Sequence, residues 1–313
     1  MDQTFLALTL ACLSQAAVAV PDAGVDAHAL RIEPGAGLSE TRVEDKLIAL
    51  ERHLGGRIGF FAIDTASGRT IEHRAHEKFA MCSTFKWLLA ADVLSRAFGS
   101  TPEFSLEERI PYGEADLIGH APSTREHVKE GAMTVGALAD AAVEVSDNTA
   151  ANLMLLLIGG PRGLTAWLRH LGDEDTRLDR NEPTLNTNLP GDPRDTTTPA
   201  ASATDLKNLI VGDALPPQAR ARLKAAMERC QTGANRLRAG VPSEWQVADK
   251  TGTCGERGAV NDVAVIWPKG HMPLVVAAYL TDSAMPLEEL EAAHAELARI
   301  TVQALVTEVS PQR

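Results

Sequence analysis

Apolar positions along the chain fall into two periods. Val43, Leu47, Leu50 and Leu54 recur at helical spacing behind Ser39, a good N-cap, and stop at Gly55-Gly56. Ile58 to Asp64 then reads as a strand, Ser67-Gly68 as a turn, and Thr70 to His73 as a second strand. From Ser83 an apolar run through Leu94 predicts a buried helix. A mixed stretch with Pro102, Pro111 and Pro122 follows. Thr134 caps a helix with Val135, Leu138, Ala142 and Val145 on one face, ending near Ser146-Asp147-Asn148. Thr149 to Ile158 is apolar almost all round, the pattern of a helix buried on every side. Gly159-Gly160-Pro161 ends it, and Leu164 to Leu171 forms another short helix. Arg177 to Thr198 has no period and reads as a long loop, a kind that is usually functional or disordered. Helices resume at Ala203 to Val211 and Pro217 to Cys230. Trp245–Thr253, Asn261–Trp267 and Pro273–Leu280 read as three strands, and a last helix runs from Pro286 to about Val306.

This order predicts an α/β (α+β) fold. Strands from the two ends of the chain form one antiparallel five-stranded sheet flanked by helices, with an all-α lobe inserted and a cleft between the lobes. The expected boundaries are residues 39–79 plus 231–313 for the α/β lobe and 80–230 for the helical lobe.

The chain has 313 residues and a net charge of -12, which argues against nucleic acid and against anionic membranes as partners. The apolar run Phe5 to Leu13 and the small residues Ala17-Val18-Ala19 read as a secretion signal over 1–19, although its first residues carry Asp2 and no Lys or Arg. Residues 20–38 read as a loose leader. The run is too short to span a bilayer, so a soluble exported protein is expected. Of four cysteines, Cys12 would leave with the signal. Cys82, Cys230 and Cys254 then allow one internal bridge and one free thiol, and composition does not say which pair bridges. The nine histidines form no H-x-x-x-H or H-x-H cluster, so no metal and no cofactor is expected.

Ser83-Thr84-Phe85-Lys86 is an S-x-x-K at a helix start. One turn of helix puts an amine on the same face as a hydroxyl, which is a poor nucleophile until a base takes its proton. By itself the pattern is equally an N-cap serine with a solvated lysine. Ser146-Asp147-Asn148 by itself is equally an Asx-type cap, Lys250-Thr251-Gly252 a strand end, and Glu182 a solvated loop acid. Arg180 and Asp195, near the ends of the long loop, either pair to close it or stand as two exposed charges.

Together these stretches carry more. S-x-x-K, S-D-N and K-T-G occur in that order, each in its expected context, and Glu182-x-x-Leu185-Asn186 lies in the loop. In this the chain resembles the class A serine β-lactamases over essentially its whole mature length, within the wider β-lactamase/transpeptidase-like fold. The resemblance implies Ser83 as nucleophile, with Lys86 or Glu182 as acylation base. Glu182 would act in that step through a water; the resemblance also implies Ser146 as proton carrier to the lactam nitrogen, and Glu182 with Asn186 holding the deacylating water, with Glu182 as its general base. It further implies that the backbone N–H groups of Ser83 and Thr253 form an oxyanion hole, where one such donor is worth about 3 kcal/mol. Asn148 would hold the substrate amide, and Lys250, Thr251 and Thr253 its carboxylate. A Cys82–Cys254 disulfide, and Arg236 as a further carboxylate ligand, would match the class A carbapenemase subgroup. On that reading, removing Arg236 alters kinetics with little loss of stability. His120 departs from the subgroup, standing where an aromatic cleft wall is expected. Cys230 is left as a lone buried thiol. The expected activity is hydrolysis of penicillin- and cephalosporin-type antibiotics, with carbapenems as a further candidate substrate, by a periplasmic monomer. The rivals are a D-alanyl-D-alanine carboxypeptidase, which the Glu182 loop disfavours, and a non-catalytic β-lactam sensor.

Overall fold

The computed structural model describes residues 40–255 and 257–306. The predicted signal, the leader, Ser39 and Cys12 lie outside the described residues. In chain order the elements are α1 (Glu40–Leu54), β1 (Arg57–Asp64), β2 (Thr70–His73), β3 (Phe79–Ala80), α2 (Phe85–Ala97), β4 (Arg109–Pro111), α3 (Pro122–His127), β5 (Ala132–Thr134), α4 (Val135–Glu144), α5 (Asn148–Leu157), α6 (Gly160–His170), β6 (Thr196–Thr197), α7 (Pro199–Leu206), α8 (Pro217–Glu228), β7 (Gln246–Cys254), β8 (Ala259–Trp267), β9 (Leu274–Thr281) and α9 (Leu287–Leu305).

β1, β2, β7, β8 and β9 form the expected sheet, in the order β2-β1-β9-β8-β7 with every pair antiparallel. The terminal strands of the chain meet because β9 runs the full length of β1, Arg57 opposite Thr281 through Asp64 opposite Leu274. Both faces of the sheet are buried, and alternate residues serve different cores. Phe60, Ala62, Val276, Ala278 and Leu280 pack toward α1 and α9. Phe61, Ile63, Val275, Ala277 and Tyr279 pack toward the helices that lie between the two groups of strands. Continuous apolar strands are what a sheet covered on both faces requires.

α2 runs through the second core, and every residue from Phe85 to Leu94 is buried. Fully burying a side chain such as Leu89 or Phe85 contributes about 1.5–3 kcal/mol. Two buried polar residues interrupt it: Asp92, paired with Arg96 at 2.7 Å, and Lys86. α4 starts as predicted, with Thr134 Oγ1 accepting from Ala137 N at 3.1 Å.

Several boundaries differ from the sequence-based expectation. α5 is not buried on every side, for Leu156 is 74% exposed. α6 begins at Gly160 rather than Leu164, so Gly159-Gly160 separates two helices without a longer loop. α7 begins at Pro199, because Thr198 caps it through Ala201 N at 3.1 Å and Pro is favourable in a first turn. The two-residue strands β3 and β6 pair with each other, a contact too short to leave a periodic trace.

The candidate active site

The turn that carries Ser83 comes first. Cys82–Thr84 is a 3-10 turn leading into α2, and Cys82 has a positive φ of 48°. Ser83 makes no capping bond there; its hydroxyl instead takes a hydrogen bond from Lys86 Nζ at 3.0 Å. The turn is pinned from the sheet. Asn261 Nδ2 on β8 donates to Ala80 O at 2.9 Å and Met81 O at 3.1 Å. β7 presses against the turn so closely that a Cβ on Gly252 would come within 2.6 Å of Met81 O, so only glycine fits. Cys82 and Cys254 are joined by a disulfide with their Cα atoms 5.6 Å apart, which ties this turn to the end of β7. Cys230 is a free, buried thiol, and burial pushes its pKa up.

Lys86 is fully buried and lies among five acceptors: Ser83 Oγ, Ser146 O at 2.8 Å, Ser146 Oγ at 3.4 Å, Asn148 Oδ1 at 2.5 Å and Glu182 Oε1 at 3.1 Å. An ammonium has three protons, so the acceptors share them. Burial drives the Lys86 pKa down, and the Glu182 charge opposes this. Ser83 Oγ lies 3.5 Å from Glu182 Oε1, so the hydroxyl has two candidate bases in reach, the amine nearer.

Ser146 adopts a left-handed φ of 57°, a conformation that costs a non-glycine residue about 1 kcal/mol or more. Asp147 holds it. That buried carboxylate accepts from Thr124 N and Ala150 N, both at 2.9 Å, and from Thr124 Oγ1. The S-D-N thus holds an Asx cap, Asp147 accepting from Ala150 N, at the junction that positions Ser146. It aims Ser146 Oγ between two amines, Lys250 Nζ at 3.1 Å and Lys86 Nζ at 3.4 Å. Lys250 is fully buried, and burial lowers its pKa to about 8, helped by the charges of Lys86 and Arg236 and opposed by Cys230 and Asp249.

Glu182 enters from the long loop. The loop is closed at its base by Arg180 and Asp195, with Nε and Oδ2 2.6 Å apart, so the open alternative of two exposed charges is excluded. Asp195 also accepts from the backbone of Asp179 and Arg180. Asn186 Nδ2 donates to Glu182 Oε2 at 2.5 Å. Asn152 on α5 clasps the Glu182 peptide, donating to its oxygen at 2.9 Å and accepting from its nitrogen at 3.0 Å. Sequence reasoning missed Asn152. The available signal was one polar residue inside an apolar helix, a single turn beyond Asn148.

The remaining predicted residues sit around β7. Thr253 is exposed, and its hydroxyl accepts from Arg236 Nη2 at 2.7 Å. Thr251 is buried, its hydroxyl 2.5 Å from that of Thr232. Arg236 is only 4% exposed. Its Nη1 donates to Asn261 O at 2.7 Å and Gly252 O at 3.1 Å, and its Nε faces Glu291 at 3.4 Å. His120 is exposed, its ring held by Val145 O at 2.8 Å and its carbonyl accepting from Asn148 N.

A serine with an amine at hydrogen-bond distance, a second serine between two amines and a carboxylate above them define a serine acyl-transfer enzyme. Residues 42–305 match the model of the β-lactamase enzyme family, and the chain belongs to that family. It is 49% identical to β-lactamase AST-1 of Nocardia asteroides, covering 84% of this chain and 83% of that one. It is 42% identical to an imipenem-hydrolysing β-lactamase of Enterobacter cloacae, covering 85% and 91%. Among solved structures, a reconstructed ancestral class A β-lactamase matches with a TM-score of 0.81 and 52% identity, over 84% of this chain and 99% of the other.

Proposed function

We propose that the chain opens the β-lactam ring of penicillin- and cephalosporin-type antibiotics by way of a serine acyl-enzyme, and so confers resistance. The observation that carries this is the Glu182–Asn186 pair held over Ser83 and Lys86. Ser83 Oγ attacks the lactam carbonyl as its proton passes to Lys86 in its neutral amine form, or to Glu182 through a water. The carbonyl carbon–nitrogen bond breaks, and Ser146 hands a proton to the departing nitrogen and regains one from its flanking amines. Backbone N–H groups of Ser83 and Thr253 receive the oxyanion. Asn148 takes the side-chain amide, and Lys250, Thr253 and Thr251 the carboxylate, with Arg236 acting through Thr253. Glu182 and Asn186 then orient a water, and Glu182 removes its proton to release the product.

Two features favour carbapenems within the substrate range: the Cys82–Cys254 bond and Arg236. Exposed His120, where an aromatic wall would serve better, argues for slow turnover of them; rates on one carbapenem and one cephalosporin decide between these. We further infer a periplasmic monomer. The apolar N-terminus and the disulfide support export, and among the described residues no helix is long and apolar enough to cross a membrane.

The test is Glu182→Gln. Loss of a general base costs about 100- to 10,000-fold in rate, so an acyl-enzyme should accumulate and appear in the intact mass as protein plus substrate. Ordinary turnover in this variant would refute the assignment.

A further inference from the structure

Two buried carboxyl groups stand at the roots of the long loop. Asp173 follows α6 and precedes the loop, and Asp205 lies on α7, which follows it; they are 7% and 3% exposed. Both line a cavity of about 290 Å³ that no Lys or Arg lines. Asp173 Oδ2 and Asp205 Oδ2 are buried, and neither finds a donor among the described residues. Yet the two side chains lie within hydrogen-bonding reach of each other. Two ionised carboxylates repel at that distance, and a buried acceptor without a donor costs free energy. One proton between them removes both penalties.

The groups around the pair supply no offsetting cation. On α6, Arg169 turns Nη1 to the carbonyls of Asp173 and Thr176, and its Nε faces Glu174 at 3.5 Å. Lys78, before β3, pairs with Asp175 at 3.5 Å. His76, on the cavity wall, lies 4.0 Å from Glu72. Asp213, beside Asp205, is a further acid. On β9, Tyr279 donates its proton to Ser202 Oγ at 3.0 Å, and burial pushes its own pKa up to about 12. Asp173 Oδ1 accepts from Asp175 N at 2.8 Å and Thr176 N at 2.9 Å, so Asp173 is already built as the acceptor of the pair. Burial, then the Asp173 charge, push the Asp205 pKa well above its ordinary value, and the Arg169 charge only partly opposes them.

We propose that Asp205 is a positioning residue: as a carboxylic acid it donates its proton to Asp173 Oδ2, and this bond clamps together the two roots of the loop that carries Glu182. On the incoming side Asp173 fixes Thr176, whose hydroxyl meets that of Thr197 at 2.7 Å, and Arg177 N donates to Thr196 O at 3.0 Å. On the outgoing side Thr198 caps α7, the helix that holds Asp205. The effect of the clamp on turnover rests on the deacylating role given to Glu182; the shared proton does not.

Urea unfolding of the mature wild type and of Asp205→Asn tests the proton. The amide keeps a donor for Asp173 and does not titrate. The unfolded chain releases the Asp205 proton near 3.8, while the folded protein keeps it. Between about pH 4.5 and 6.5 the folding constant of the wild type should therefore fall, relative to that of Asp205→Asn, by up to about tenfold per pH unit. A difference that stays flat with pH would overturn the proposal. The clamp is read from the decay of the acyl-enzyme near neutrality, followed by quenching and intact mass. Asp205→Ala removes the donor and should slow that decay about tenfold or more, because small displacements of a reacting group are costly. Asp205→Asn should stay within about twofold of wild type. Equal decay in all three proteins would sink the positioning role. If melting curves show the alanine variant unfolded, Asp205→Leu, which keeps the volume without a polar atom, takes its place. Ordinary turnover by Glu182→Gln alongside an intact pH-dependent difference would remove the loop acid's assigned role and leave the shared proton standing.

Discussion

Arg236 gives the sharpest test of how the carboxylate side of the cleft is built. The motif comparison made it a substrate ligand whose loss leaves stability nearly unchanged. Its surroundings argue otherwise. The side chain is 4% exposed and donates to Asn261 O, Gly252 O and Thr253 Oγ1, with Glu291 beside its Nε. Arg236→Ala leaves two strand carbonyls and a largely buried carboxylate without that donor. Each unsatisfied buried group costs about 1–3 kcal/mol, and breaking a buried charge pair about 3–5 kcal/mol. A net loss of about 3–5 kcal/mol is expected, a large share of a total of roughly 5–15 kcal/mol. For a chain of this size that lowers the melting temperature by on the order of 10 °C. Denaturant midpoints and kcat/KM should be measured together on the wild type, Arg236→Ala and Arg236→Lys. The lysine restores the charge but cannot hold several acceptors in one plane. It should recover part of the kinetic loss and little of the stability. A stability for Arg236→Ala within about 0.5 kcal/mol of wild type, the range of an ordinary surface change, would refute the reasoning and return Arg236 to the role of a free ligand.

Lys250 yields a pH signature in which activity and stability move oppositely. Its folded pKa of about 8 lies below the ordinary 10.5, so between those values the unfolded chain holds a proton that the folded protein has released. This group therefore raises stability as pH climbs from about 8 to 10.5, while kcat/KM falls as the cation is lost. Decline of both together over that window would refute the assignment. The disulfide closes a separation of 172 residues, for which chain entropy predicts up to about 5 kcal/mol. Cys82→Ser/Cys254→Ser should lower the denaturation midpoint accordingly, and the denatured, unreduced mature protein should titrate one thiol, at Cys230. Three thiols, or an unmoved midpoint, would contradict this.

Much of this protein was legible along the chain, because helices and strands leave local periods. Val43 to Leu54, the two strands before Ser83 and the three after Trp245 lie close to their predicted positions. The candidate catalytic residues were legible as a set of motifs in the order a known family shows, and a serine and a lysine one helical turn apart need no distant partner to face each other. The missed features all depend on contacts between segments remote in sequence. Asn152 acquires meaning only when the loop thirty residues later lays the Glu182 peptide against it. Leu156 reads as core until the packing leaves that side of α5 uncovered. Arg236 reads as a free cation until β7 and β8 bring two carbonyls to its guanidinium. Local periods and fixed spacings placed most of the elements and the candidate site residues along the chain. Which polar groups are buried, and what satisfies them there, was decided only by the tertiary structure, because burial and long-range hydrogen bonds are properties of the packed chain.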